Sequence, residues 1–202
     1  MLGTLVSMIL FAFVGAVSPG PVNLIATSAG AGVGFWRTLP YVLGATLGYT
    51  LVVLLAGMGL AQLLQEQPLL AALLRYLGAA FLLYMALRIA LAPVAELQAN
   101  PGVAPSWWQG ALTQWLNPKA WLVAASGVGL FVTAHEPVSL YLMLFCALSF
   151  AMCLLGVGLW AGFGTLLGHW LNGPRQRRFN RLMGLLLAVT VVGLFLPVAG
   201  GR

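Results

Sequence analysis

Long apolar runs alternate with short polar interruptions along the whole chain. The runs fall near residues 4–28, 39–63, 69–91, 107–131, 138–167 and 179–197, each close to the roughly 20 apolar residues that a helix needs to cross a bilayer. They predict six transmembrane helices joined by short connectors. The longest polar stretch, 92–106, holds Pro93, Pro101 and Pro105 and divides the chain into halves of three helices, 1–91 and 107–202. Three spans per half make the halves enter the membrane from opposite sides. The expected fold is therefore all-α, one membrane domain over 1–202 built as two inverted three-helix repeats. Short self-similarities agree with this. Arg75-Tyr76-Leu77-Gly78 matches Arg181-Leu182-Met183-Gly184, and Ser18-Pro19 before Ala26-Thr27-Ser28 matches Asn117-Pro118 before Ala125-Ser126-Gly127.

Composition removes the soluble alternative. Apolar residues make up 61% of the chain and charged ones 6%, against about 25% charged in soluble domains. In a soluble domain the net charge of +6 would raise nucleic acid as a partner. Here the basic residues follow the positive-inside rule instead, and the bilayer is the expected environment. Arg37 falls in the first connector, Arg88 beside the third, and Arg175, Arg177, Arg178 and Arg181 in the fifth. The second and fourth connectors carry Glu66, and His135 with Glu136. Connectors one, three and five are thus expected in the cytoplasm and both termini outside the inner membrane, with Trp36, Trp107, Trp108 and Trp170 at the cytoplasmic interface. Residues 1–17 lack a basic n-region, so no cleaved signal peptide is expected.

The first and fourth runs, which correspond in the two halves, are the ones interrupted by proline. Ser18-Pro19-Gly20-Pro21 with Asn23 lies in the first, and Asn117-Pro118-Lys119 in the fourth. Each proline removes a backbone donor and frees a carbonyl one turn earlier. Inside a membrane such groups are tolerated only against protein or a water-filled cavity, and paired breaks mark a substrate site. Lys119 lies about 18 Å of helical rise from Trp107, near the middle of a hydrocarbon core about 30 Å thick; the alternative is a span that starts elsewhere and a shallow lysine that snorkels to the interface. A cation at mid-depth costs about 2.5–3.5 kcal/mol. The carboxylates at Glu66, Glu96 and Glu136 all map to connectors and there is no Asp, so Lys119 has no acidic partner in the spans.

These motifs carry a resemblance. Ser18-Pro19-Gly20-Pro21, the glycines Gly30, Gly32 and Gly34 before Phe35 and Arg37, and Gly44, Gly48 and Gly59 resemble the lysine exporter (LysE/RhtB) superfamily in its homoserine/threonine exporter branch. Leu77-Gly78-Ala79-Ala80 with Leu83-Tyr84, and Gly110 with Asn117-Pro118-Lys119-Ala120, extend the likeness. The resemblance implies an inner-membrane exporter of amino acids or related metabolites, driven by the proton motive force as an antiporter. One departure bears on substrate. Val22 stands directly after Ser-Pro-Gly-Pro, where many members have Asp or Asn, which argues against a carboxylate proton step and against a cationic side chain.

A small zwitterion leaving water needs countercharge for its carboxylate and acceptors for its ammonium. Ser18, Pro19, Gly20, Pro21, Asn23, Asn117, Pro118 and Lys119 are the expected substrate-binding residues, with freed carbonyls and the two Asn amides receiving the ammonium. The halves are expected to rock about this site. The titratable candidates for coupling are Lys119, His169 and His135. A thiol-shuttling relative would need a cysteine in each broken helix, whereas Cys146 and Cys153 both lie in the fifth run. A membrane enzyme, an ion transporter or a metal site would need a polar or acidic constellation, so no cofactor or metal is expected, and a passive scaffold leaves Lys119 unexplained. Tyr41, Tyr49, Trp115 and Trp121 are candidates to line a cavity, though aromatic residues in spans usually pack or meet lipid. Gly156, Gly158, Gly162, Gly164 and Gly168 suit close helix contact within the chain or, as the lesser alternative, in a homodimer.

Overall fold

A computed structural model describes residues 2–59, 66–91, 103–168, 170–171 and 173–193. Most of the 92–106 connector with Glu96, the ends of the second and sixth expected spans, His169 and Arg202 lie outside the described residues, as do the side chains of Arg75 and Arg88. Eight helices are described: α1 (Leu2–Val17), α2 (Pro21–Val33), α3 (Phe35–Gly57), α4 (Pro68–Ala90), α5 (Trp107–Trp115), α6 (Pro118–Gly127), α7 (Val138–Gly168) and α8 (Gly173–Gly193). A π-helical turn, Val128–Val132, extends α6, and no strand occurs among the described residues.

The apolar runs become helices, and the proline motifs interrupt the two that carry them. α3 and α7 are each long and apolar enough to cross a membrane, and α1 with α2, bent by 60° at the break, is long and apolar enough when taken together. Leu116 and Asn117 separate α5 from α6. The α5 start is closed by a capping box in which Gln109 Oε1 accepts from the Ser106 N–H at 2.8 Å. Trp36, Trp107, Trp108 and Trp170 are all exposed, and the indoles of Trp107 and Trp108 stack at 4.0 Å.

Two connectors are shorter than expected. α3 begins at Phe35, so Arg37 sits in its first turn and Gly34, at φ 82°, is the whole connection from α2. Positive φ there suits glycine because it has no Cβ. α8 begins at Gly173, placing the exposed Arg175, Arg177, Arg178 and Arg181 on its first turns and not in a loop. Long arginine stems allow a helix to carry charge at the bilayer edge, so a basic cluster does not mark where a helix stops.

Packing joins the halves to each other. α1 and α2 lie on α7, α3 lies on α5 and α7, and α4 lies on α8. All of these contacts cross between the halves, so the halves interlock. α4 and α8 pack chiefly on one another and touch the remaining helices lightly, mainly through α2.

Close approach at the crossings requires residues without side chains. A Cβ on Gly44 would strike the Trp107 carbonyl, and one on Gly110 the Tyr41 carbonyl. On α7, Gly164 and Gly168 abut the Thr27 and Ala31 carbonyls, whereas Gly158 and Gly162 face open space. Within-chain packing thus accounts for one glycine face of α7. Overpacking of this kind costs about 1–3 kcal/mol, so Gly110→Ala is expected to lower the unfolding temperature in detergent and Gly162→Ala to leave it unchanged.

Candidate functional site

The break between α1 and α2 frees a run of carbonyls, and each of them has a partner. Pro19 and Pro21 have no N–H to offer Gly15 and Val17, and the extended Gly20 (φ -173°) turns the chain out of the helix. Ser18 Oγ donates to the Gly15 carbonyl at 3.0 Å. Asn23 Nδ2 donates to the Ala16 carbonyl at 2.8 Å and to the Ser18 carbonyl at 3.0 Å. From α7, Trp160 Nε1 donates to the Val17 carbonyl at 2.9 Å. From α6, Lys119 Nζ donates to the Ser18 carbonyl at 2.9 Å, Ser18 Oγ at 2.7 Å and the Pro19 carbonyl at 3.3 Å. The helix resumes where the Leu24 N–H donates to Gly20 at 3.0 Å.

The second break is closed in the same manner. Pro118 occupies the first turn of α6, where a missing N–H costs nothing, and Asn117 caps the helix as its Oδ1 accepts from the Lys119 N–H at 3.1 Å. Trp121 Nε1 donates to the Trp115 carbonyl at 2.8 Å. Lys119 thus links the breaks, with its backbone held by Asn117 and its ammonium by Ser18 and Pro19. Its contacts are neutral oxygens, as expected for a lysine with no acid in reach.

A cavity of about 40 Å³ adjoins this junction. Gly20, Asn23, Asn117 and Lys119 line it together with Tyr49, Gln114 and Cys153. At roughly 10–15 Å³ per water it accommodates a few waters. No side chain caps the start of α2, where Gly20, Val22 and Asn23 line the same cavity, so the positive end of that helix and the ammonium of Lys119 face a shared space.

The structure therefore brings the expected residues together, with one redistribution of roles. Ser18, Pro19, Gly20, Asn23, Asn117 and Lys119 meet at the junction, while Pro21 and Pro118 start their helices beside it. The carbonyls expected to be open to an ammonium are taken in this structure: Lys119 and Asn23 already donate to them. Sequence reasoning missed Trp160 and Gln114, and set Tyr49 and Cys153 aside. A polar side chain deep in a long apolar run is the signal that would have marked Gln114, whereas nothing in the pattern of its own run marks Trp160. His135, one of the coupling candidates, stacks on Tyr141 at 4.6 Å in the turn before α7, away from this cavity.

A second, larger cavity of about 470 Å³ lies further along α2. Ile25, Ser28 and Gly32 line it with Met85 and Ile89 of α4, Gln109 of α5, and Gln176 and Asn180 of α8. Ile25 is buried, and the Tyr41 hydroxyl donates to the Val22 carbonyl at 3.3 Å. These groups lie where α2 passes from one cavity to the other. In the opposite direction, Phe11, Phe131 and Phe145 form an aromatic cluster with ring centroids 5.5 to 6.4 Å apart.

Comparison with known proteins agrees with the motifs. The profile of the LysE type translocator family matches residues 13–200. Similar proteins include the cysteine/O-acetylserine efflux proteins of Salmonella choleraesuis (strain SC-B67), 30% identical over 192 residues, and of Escherichia coli (strain K12), 29% identical over 187 residues. Each alignment covers 92% of this chain and 94% of the relative. No solved structure matches. The match bears out the resemblance to the lysine exporter superfamily: this chain belongs to the LysE type translocator family, whose members are transporters and not enzymes.

Proposed function

We propose that the protein exports small zwitterionic amino acids with uncharged side chains across the inner membrane, in exchange for protons. The observation that carries this reading is the Lys119 ammonium set in the α1–α2 break, 2.7 to 3.3 Å from Ser18 and Pro19 oxygens and beside a cavity lined from both breaks. A substrate carboxylate binds between that ammonium and the uncapped start of α2. As Lys119 turns to the carboxylate it releases the Ser18 and Pro19 carbonyls, which then accept from the substrate ammonium. The exchange keeps the Lys119 ammonium and the Ser18 and Pro19 carbonyls paired at each stage, which a membrane interior demands. Lys119 is also the group placed to carry the coupling proton. The relatives' names give cysteine and O-acetylserine, two amino acids with uncharged side chains.

The packing supports a six-span inverted repeat for this transporter, with halves 1–91 and 107–202. Span one on span five (α1 and α2 on α7) has its counterpart in span four on span two (α5 on α3), and span three meets span six (α4 on α8). A two-fold relation between the halves produces this pattern. Glycines serve the two equivalent crossings, Gly164 and Gly168 in one and Gly44 and Gly110 in the other. The lightly attached α4–α8 pair is the moving unit, and its displacement connects the larger cavity to Lys119. That cavity lies at the end of the bundle that bears Arg37 and the α8 arginines, so the positive-inside rule makes it the cytoplasmic vestibule and puts both termini outside. The Phe11, Phe131 and Phe145 cluster closes the outer side.

Function without the break tests the reading. Pro19→Ala with Pro21→Ala restores two backbone donors and favours a continuous helix that withdraws the Ser18 carbonyl from Lys119. Counterflow in proteoliposomes is expected to fall by about tenfold or more, the loss of one to two charge-assisted contacts. Unchanged rates would reduce the motif to a kink.

A further inference from the structure

We infer that Tyr49, Gln114 and Cys153 form the subsite that reads the substrate's side chain, and that they select a short uncharged side chain ending in a hydrogen-bonding group. The inference rests on the Lys119 reading of the main site and adds what that reading leaves open, the identity of the side chain. Three helices supply the residues, α3, α5 and α7, and none of the three belongs to a proline motif. Tyr49 is 7% exposed, Gln114 6% and Cys153 2%, yet all three line the cavity that contains Lys119. An amide and a phenol buried at this depth cost several kcal/mol unless they are paired, and buried polar groups inside a membrane mark a substrate path.

The present pairing of Gln114 with Cys153 is weak. Gln114 Nε2 donates to Cys153 Sγ at 3.6 Å, and sulfur is a poor acceptor. One turn before Cys153 on the same face of α7, the Ser149 hydroxyl is fully buried and has no partner. The amide of Gln114 therefore gains when a hydroxyl, thiol or ester oxygen of a ligand replaces the sulfur. An alkyl side chain in the same place separates the amide from sulfur and offers nothing in return. Size and charge narrow the class further. The cavity of about 40 Å³ holds only a few non-hydrogen atoms, which suits a short side chain. Lys119 is the charged residue in its lining, so a cationic side chain meets a like charge with no carboxylate to offset it.

L-Serine and L-2-aminobutyrate, nearly isosteric and differing by a hydroxyl in place of a methyl, are the probes. Reconstituted wild-type protein is expected to favour serine in counterflow by about tenfold or more in kcat/KM, since a site built to bond a hydroxyl rejects the analogue that lacks it. Gln114→Leu is expected to bring that ratio to within about threefold of unity while 2-aminobutyrate is still carried. Tyr49→Phe, which removes one oxygen and keeps the ring, is expected to shift the ratio in the same direction and serves if Gln114→Leu does not fold. A wild type that carries both probes equally, or variants that carry both at the wild-type ratio, would overturn the subsite and leave the Lys119 reading intact. Transport of neither probe by the wild type, with other zwitterions carried, would also overturn it. Transport of no amino acid at all would overturn both readings.

Discussion

Lys119→Met is expected to lower amino-acid counterflow on the order of 100-fold while leaving the protein folded and inserted. A hydrogen bond to a charged group contributes roughly 1.5–3 kcal/mol, and about 3 kcal/mol of lost substrate stabilisation corresponds to that factor. Methionine keeps the length of the stem and removes the charge, so packing along α6 is conserved. The Ser18 carbonyl retains Asn23 Nδ2 as a donor, which limits the structural cost to the Pro19 carbonyl and Ser18 Oγ. Lys119→Arg is expected to recover only part of the rate, because a planar guanidinium does not reproduce the three converging contacts of an ammonium. Size-exclusion profiles and unfolding temperatures in detergent separate the two explanations: wild-type values beside lost counterflow identify a functional role. Wild-type counterflow by Lys119→Met would remove the lysine from the site.

Gly32→Trp is the second large effect. Gly32 lines the larger cavity, its Cβ position has nothing within 4 Å, and its backbone carries no positive φ. An indole there occupies the vestibule without displacing core. Counterflow is expected to fall at least about tenfold with an unchanged unfolding temperature, as for a plugged path whose walls are intact. Gly32→Ala, which leaves most of the volume open, is expected to retain most of the rate. Full activity with tryptophan at this position would show that the substrate takes another route past α2.

What the sequence disclosed and what it withheld follow one division. A proline's missing N–H is a local property, so the breaks at Ser18-Pro19-Gly20-Pro21 and Asn117-Pro118 were legible from the residues alone. The cost of a mid-membrane ammonium is nearly as local, and it singled out Lys119. Which donor meets which freed carbonyl is a property of packing. α7 is apolar around its whole circumference, so nothing in its pattern says that Trp160 and Cys153 face α1 and the cavity while Phe163 and Leu166 are exposed. Asn23 was legible as polar and out of place, but not that it ties the broken ends together. The interlocking of the two halves was hidden for the same reason. Order along the chain suggests two blocks, whereas the glycine crossings at Gly44, Gly110 and Gly164 bind each block into the other. Arg37 and the α8 arginines misled about helix starts because a charged stem at the interface is compatible with helix.

The central claim is that Lys119 and the start of α2 hold a carboxylate belonging to a small zwitterion. Proteoliposomes carrying the purified protein, loaded with the standard amino acids and homoserine together with their carboxamides, test it by mass spectrometry of what leaves under an imposed proton gradient. The account predicts that small amino acids with uncharged side chains leave and that their carboxamides stay behind. Efflux of the carboxamides at the rate of the parent amino acids, or of lysine and arginine alone, would contradict it.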